Sequence, residues 1–249
     1  MVGQEKWIET ADGTFVYVEI FGQGQPLVFL HGNSSSSRYF KQQISFFAKN
    51  YQVIVLDSRG HGRTQAKAQT ISFDQMADDL HQVFTVLKIQ KAILVGHSDG
   101  ANLAMIFQKK YPQAVGGMLL NSGNITTKAL HLADRLLTWL AYGFLAVLSL
   151  LIPSLKAKSR VIYLMLQDLT IKQADLVAVR VPVLVLVGKH DLIKLSYSRS
   201  LASYFPKGIF YSLKGFGHNI VKKDSQTFNQ ITHQFIKHIL LGVPFESPS

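Results

Sequence analysis

The chain has 249 residues, 47% of them hydrophobic and 16% charged, which is ample for a large core and excludes a disordered chain. It has no cysteine, so a disulfide scaffold, a thiolate zinc site and a cysteine nucleophile are excluded together. The net charge of +11 is scattered over pairs such as Lys109–Lys110 and Lys222–Lys223 and a looser Lys156, Lys158, Arg160 cluster. None of these approaches the roughly five or six like charges of a binding tail, so no nucleic-acid partner is expected.

From the amino end, MVGQEKWIET lacks the apolar core of a secretory signal, and a cytoplasmic protein is expected. Phe15–Phe21 and Pro26–Leu30 read as strands split by a Gly-rich turn at Gly22 and Gly24. Arg38–Lys49 reads as a helix. Gln52–Leu56 is a short continuous apolar run, the pattern of a strand buried on both faces. The spacing of Met76, Leu80, Val83, Phe84 and Leu87 predicts a helix over Ser72–Leu87. Ala92–Val95 and Gly117–Leu120 read as strands around a helix at Ala101–Lys110. The rhythm resumes with a strand at Val183–Val187, a helix at Ser196–Phe205, a strand at Ile209–Leu213 and a closing helix at Ser225–Leu241. Strands alternating with helices predict an α/β protein with a mostly parallel sheet and helices on both faces.

Between about Asn124 and Arg180 the pattern is helical without a clear strand. An insertion there must lie above the strand ends, where ligands bind in open α/β sheets. It reads as a helical cap on a single domain spanning 1–249.

Gly96-His97-Ser98-Asp99-Gly100 follows a strand and precedes a helix. G-x-S-x-G in that context is a nucleophile elbow, with glycines where side chains would collide with neighbouring backbone. A serine hydroxyl needs a base, and the base needs an orienting acid. In such elbows the acid precedes the histidine in the chain. Asp191 ends the strand-loop VLVLVGKHD, and His218 lies on the Gly-rich loop GFGHN after the last strand. Of the nine histidines, His233 and His238 fall within the closing helix, and His97 and His190 adjoin the elbow and the acid. At the alternative position for the acid the chain reads Asn121-Ser122, and asparagine carries no charge to stabilise an imidazolium. The oxyanion donors are expected at the N–H groups of Asp99 and Asn33, with Ser34 as the alternative to Asn33. The Asp99 side chain is expected to turn away toward a basic or amide partner. Asp57 and Arg59, in the turn Asp57–Thr64, are expected to brace that turn and not to react.

HGN at His31–Asn33, DSRGHG at Asp57–Gly62, GHSDG at Gly96–Gly100, GKHD at Gly188–Asp191 and GFGHN at Gly215–Asn219 together resemble the α/β-hydrolase family. The likeness is to its capped serine esterase and enol-lactonase-like members. It covers nearly the whole chain and is weakest in the cap. It implies an eight-stranded sheet with Ser98 as nucleophile, Asp191 as acid and His218 as base. A serine at the elbow argues against the family's haloalkane dehalogenases and epoxide hydrolases.

Leu136–Ile152 is uncharged throughout, near the lower limit for a membrane span. A single span would set the strands before and after it on opposite sides, separating Ser98 from Asp191 and His218. A helix apolar all round is normally buried, so a cap helix lining an apolar pocket is expected, in preference to a membrane-surface contact aided by Lys156, Lys158 and Arg160. The resulting expectation is a serine hydrolase of a small-to-medium carboxylic ester with an apolar acyl part, needing no metal or organic cofactor. Enol-lactonase, carbon–carbon bond hydrolase, aminopeptidase and acyltransferase chemistry are alternatives on the same fold. So are a non-catalytic ligand receptor and a membrane-anchored interaction protein. An aminopeptidase would need cap acids for the substrate amine, and the cap offers Asp134, Asp168 and Asp175.

Overall fold

The computed structural model describes residues 3–67 and 71–246. The chain runs β1 (Gln4–Glu9), β2 (Phe15–Phe21), β3 (Pro26–Leu30), α1 (Lys41–Phe47), β4 (Gln52–Leu56), α2 (Phe73–Val86), β5 (Ala92–His97), α3 (Asp99–Lys110) and β6 (Val115–Asn121). It continues through α4 (Leu132–Leu151), α5 (Leu155–Leu164) and α6 (Gln173–Val177). The last elements are β7 (Val183–Gly188), α7 (Leu195–Tyr204), β8 (Gly208–Leu213), α8 (Ile220–Lys223) and α9 (Ser225–Leu241). The strands form one eight-stranded sheet in the order β1-β2-β4-β3-β5-β6-β7-β8, antiparallel where β2 meets β1 and β4 and parallel elsewhere.

The continuous apolar runs serve two cores at once, because successive strand residues point to opposite faces. Val28, Ile54, Leu94 and Val185 pack with α2 and α3 on one face. Their neighbours Phe29, Val55, Val95 and Leu186 pack with α1 and α9 on the other. This double burial is why these strands show no polar alternation. β1 escaped the sequence reading for the opposite reason: it is an edge strand burying only Ile8, so neither an alternation nor an apolar run marks it. Met1 and Val2, in the amino-terminal stretch read for a signal, lie outside the described residues. The helix expected from Arg38 begins as a 3-10 turn at Ser37–Phe40, and α3 begins two residues earlier than expected, at Asp99.

The turn after β4 is a brace. Asp57 accepts from the N–H groups of Ser37 (2.6 Å) and Arg63 (2.8 Å). The buried Arg59 guanidinium grips Asp79 of α2 through two hydrogen bonds, at 2.9 and 2.7 Å, and also pairs with Asp12 in the β1–β2 turn. One cation therefore ties the antiparallel edge hairpin to a helix of the parallel half.

The connection from β6 to β7 carries α4, α5 and α6. The structure corrects the expectation for α4. Instead of lying buried, it packs on α5 and reaches a pocket through Leu145, and Ser149 is its one buried residue. Leu136, Leu140, Phe144 and Leu150 all face solvent. The physical reason is stacking order. α5, through Val161 and Leu164, occupies the core surface, and α4 lies outside it with a neighbour on one side only.

Two substitutions test this arrangement by urea denaturation. Arg59→Ala leaves the Asp79 carboxylate buried without its partner and should cost about 3–5 kcal/mol. Leu140→Ser, on the outer side of α4, should change stability by less than about 0.5 kcal/mol, whereas a buried leucine would cost several times more.

Candidate active site

The carboxyl ends of four parallel strands converge on one edge of the sheet. β5 ends in the elbow, β3 in His31–Asn33, β7 in the loop bearing Asp191, and β8 in the loop bearing His218. The elbow is a close-packed object. A Cβ on Gly100 would overlap the Leu30 carbonyl, and one on Gly96 would overlap the Gly100 carbonyl. With no side chains at those two positions, α3 starts directly beneath Ser98. The serine itself is held at φ +54°, a left-handed conformation that costs a non-glycine residue free energy and persists only where packing enforces it.

Ser98 Oγ lies 3.0 Å from His218 Nε2, and His218 Nδ1 lies 2.8 Å from Asp191 Oδ1. With Nδ1–H donating to the carboxylate, Nε2 is the lone-pair nitrogen and accepts from the serine hydroxyl. Both distances are within reach for proton transfer. Asp191 also accepts from Ser122 Oγ at 2.7 Å and from the Ile193 N–H at 3.1 Å. Burial works against its charge, but the hydrogen bond and charge of His218, with those from Ser122 and Ile193, outweigh it and hold the carboxyl below its usual range. Sequence reasoning missed Ser122, although it weighed the neighbouring Asn121 as a place for the acid. Asn121 instead lies against His97 Nδ1 at 3.0 Å. Burial, reinforced by the nearby His218, pushes His97 down to about 3, so it stays neutral beside the elbow.

The N–H groups of Asn33 and Asp99, the expected oxyanion donors, find no acceptor among the described residues. The loop bearing Asn33 is set by His31, whose Nδ1 lies 2.8 Å from the Gly32 carbonyl while Nε2 accepts from the Ser58 N–H at 3.0 Å. The alternative residue, Ser34, turns its hydroxyl onto Asn33 Oδ1 at 2.8 Å. The Asn33 amide in turn donates to Asp99 Oδ2 at 2.8 Å and to the Val161 carbonyl of α5 at 2.6 Å. Asp99 thus has the amide partner expected of it, and a second in Asn102 at 3.4 Å. Asp99 still lines the small cavity over Ser98, together with Leu164, Met165 and Gln167. That cavity measures about 20 Å³, room for about one water molecule. Among the described residues no cluster of His, Asp and Glu has the makings of a metal site.

Burial pushes the Asp99 carboxyl up to about 6, against the lowering influence of its hydrogen bond from Asn33. The folded chain therefore holds this proton more tightly than the unfolded chain does. Stability from this group is full below the unfolded value near 4 and declines as pH rises toward 6. Asp99→Asn should remove that decline, seen as a flatter dependence of urea midpoint on pH between about 4 and 6.

A family model described as the alpha/beta hydrolase fold matches residues 25–145. Of curated relatives, the AB hydrolase superfamily protein YisY of Bacillus subtilis is 31% identical over 109 residues, covering 43% of this chain and 41% of the relative. The chain spans about half the length of the curated relatives it matches. Among solved structures, a thermophilic esterase from Thermogutta terrifontis superposes with a TM-score of 0.78 at 22% identity, covering 95% of this chain and 99% of that one. Est816, an N-acyl homoserine lactone degrading enzyme, superposes with a TM-score of 0.76 at 25% identity, covering 92% and 100%. The sheet order, the elbow and these likenesses agree: the chain has the α/β-hydrolase fold.

Proposed function

We propose that the chain is a serine hydrolase that cleaves a small-to-medium carboxylic ester with an apolar acyl part through an acyl-enzyme. The observation that carries the reading is the hydrogen-bonded chain Ser98 Oγ–His218 Nε2 and His218 Nδ1–Asp191, beside two N–H groups that are unengaged among the described residues. Ser98 Oγ attacks the ester carbonyl as its proton passes to His218 Nε2. The N–H groups of Asn33 and Asp99 take the oxyanion. His218 returns the proton to the leaving alcohol, and Asp191 holds the imidazole in the required tautomer and stabilises its charged form. Water, activated by the same histidine, then releases the acid.

The dimensions of the site bear on how substrate enters. A cavity of about 20 Å³ is smaller than an ester, so on this reading substrate entry displaces the segment Leu164–Gln167 that lines it. The helix leading into that segment, α5, is tied to the oxyanion loop by the bond from the Asn33 amide to the Val161 carbonyl. A larger space of about 390 Å³ lies under the same helices, lined by His61, Leu145, Val161 and Ile162 among others, and suits an apolar acyl group. Lactone opening, the same acyl transfer with a tethered leaving group, is the second reading, supported by the likeness to Est816. The aminopeptidase reading lacks support because none of Asp134, Asp168 and Asp175 lines the cavity over Ser98. Asp168 instead accepts from Thr126 and Thr127, and Asp175 pairs with Lys109.

A fluorophosphonate probe should label the wild-type chain and fail to label Ser98→Ala; an unlabelled wild type would sink the proposal. With p-nitrophenyl esters, Asp191→Asn should lower kcat by about 10⁴-fold, as expected when the orienting acid is lost. Asp57→Asn, which removes only a turn brace, should leave kcat within about tenfold of wild type. Equal losses in the two variants would refute the assignment of the acid.

A further inference from the structure

The solvent-facing side of α4 has the wrong polarity for water. Leu140, Phe144, Leu150 and Leu151 are between 67% and 80% exposed, and Leu132, Leu136 and Val147 join them along the same side. A 20-residue helix is about 30 Å long, so this is an extended stripe and not a single exposed residue. Two of the helix's three hydroxyls bond back to its own backbone: Thr138 Oγ1 donates to the Asp134 carbonyl at 2.8 Å and Ser149 Oγ to the Ala146 carbonyl at 2.7 Å. Tyr142, on the inner side, packs on Tyr163 of α5 with ring centroids 5.1 Å apart. The stripe itself, built from leucine, phenylalanine and valine, therefore presents only hydrocarbon to its surroundings.

Charge distinguishes the occupants of such a surface. From Asn124 to Tyr163 the chain carries Lys128, Arg135, Lys156, Lys158 and Arg160 against one acid, Asp134. None of the five cations forms an ion pair among the described residues. Two copies docked stripe to stripe would bring these like charges together, whereas an anionic bilayer would neutralise them. A transmembrane course is ruled out by the fold. β6 and β7 pair directly, α5 returns along α4, and α5 bears Lys156, Lys158 and Arg160.

We propose that α4 is an interfacial docking helix, lying side-on in the headgroup–acyl boundary of an anionic membrane and held there by its apolar stripe and the flanking lysines. Docked in this way, the helices that roof the cavity over Ser98 face the lipid. On the hydrolase reading above, that gives an apolar acyl chain a route to the site without crossing water. Docking itself does not depend on that reading.

The test is sedimentation of the full chain with phosphatidylcholine vesicles, with and without phosphatidylserine at about 30%. Binding to the anionic vesicles should be at least about tenfold tighter than to phosphatidylcholine alone and should weaken with salt. The triple variant Leu140→Ser, Phe144→Ser, Val147→Ser should lose about tenfold or more, with its melting temperature and fluorophosphonate labelling unchanged. Lys156→Glu with Lys158→Glu should abolish the preference for phosphatidylserine. In a Trp7→Phe background, Trp139 emission should shift to the blue on anionic vesicles. No binding by the wild type, or equal binding by the triple variant, would overturn the proposal. So would a wild-type dimer in analytical ultracentrifugation that the triple variant disperses while vesicles are ignored. Vesicle binding by a chain that no fluorophosphonate labels would leave docking standing and reject only the hydrolase reading.

Discussion

The close approach of α3 to the ends of β3 and β5 is the constraint on which the rest of this edge depends. Gly100 packs against the Leu30 carbonyl and Gly96 against the Gly100 carbonyl, at separations that leave no room for a methyl group. That contact forces Ser98 into a left-handed conformation, lifts its hydroxyl clear of the sheet and sets the first N–H of α3 beside it. The strain at Ser98 is offset by two buried cores that sandwich the sheet. Because the strands are parallel, the loops after β3, β7 and β8 reach the same edge without a long detour. Ser98, His218, Asp191 and the N–H groups of Asn33 and Asp99 therefore meet as a consequence of topology.

Around that edge a polar web fixes the parts relative to one another. Asn33 joins the β3 loop to the elbow through Asp99 and to the overlying helices through the Val161 carbonyl. Ser122 and the Ile193 N–H anchor the Asp191 carboxylate, so that its partner His218 has one orientation to adopt. The amide of Asn33 also supplies the partner expected for the Asp99 side chain. It engages the Asp99 carboxyl, and burial keeps that carboxyl protonated to a higher pH than usual.

The legible parts of the sequence were those with a short-range physical signature. Doubly buried strands appear as apolar runs such as Gln52–Leu56, and α2 as a three- and four-residue periodicity. Ser98, Asp191 and His218 could be named because glycine-punctuated loops follow such runs. Ser122 and the Asn33–Val161 link were not legible, since they join residues 69 and 128 positions apart with no local pattern. β1 was invisible because an edge strand burying one side chain has no periodicity to read. α4 misled in a more instructive way. Hydrophobicity on all sides argues for burial, but burial requires partners on all sides, and the fold supplies α5 alone. Composition told how much apolar surface the helix has; only tertiary structure told how much of it is left uncovered.

The central claim is that Ser98 carries the acyl group between substrate and water. Rapid quenching of the wild-type chain with an excess of p-nitrophenyl ester, followed by peptide mass spectrometry, tests it most directly. The account predicts a burst of nitrophenol stoichiometric with protein and an acyl increment on the peptide containing Ser98. Steady hydrolysis with no burst and with that peptide unmodified at every time point would contradict it.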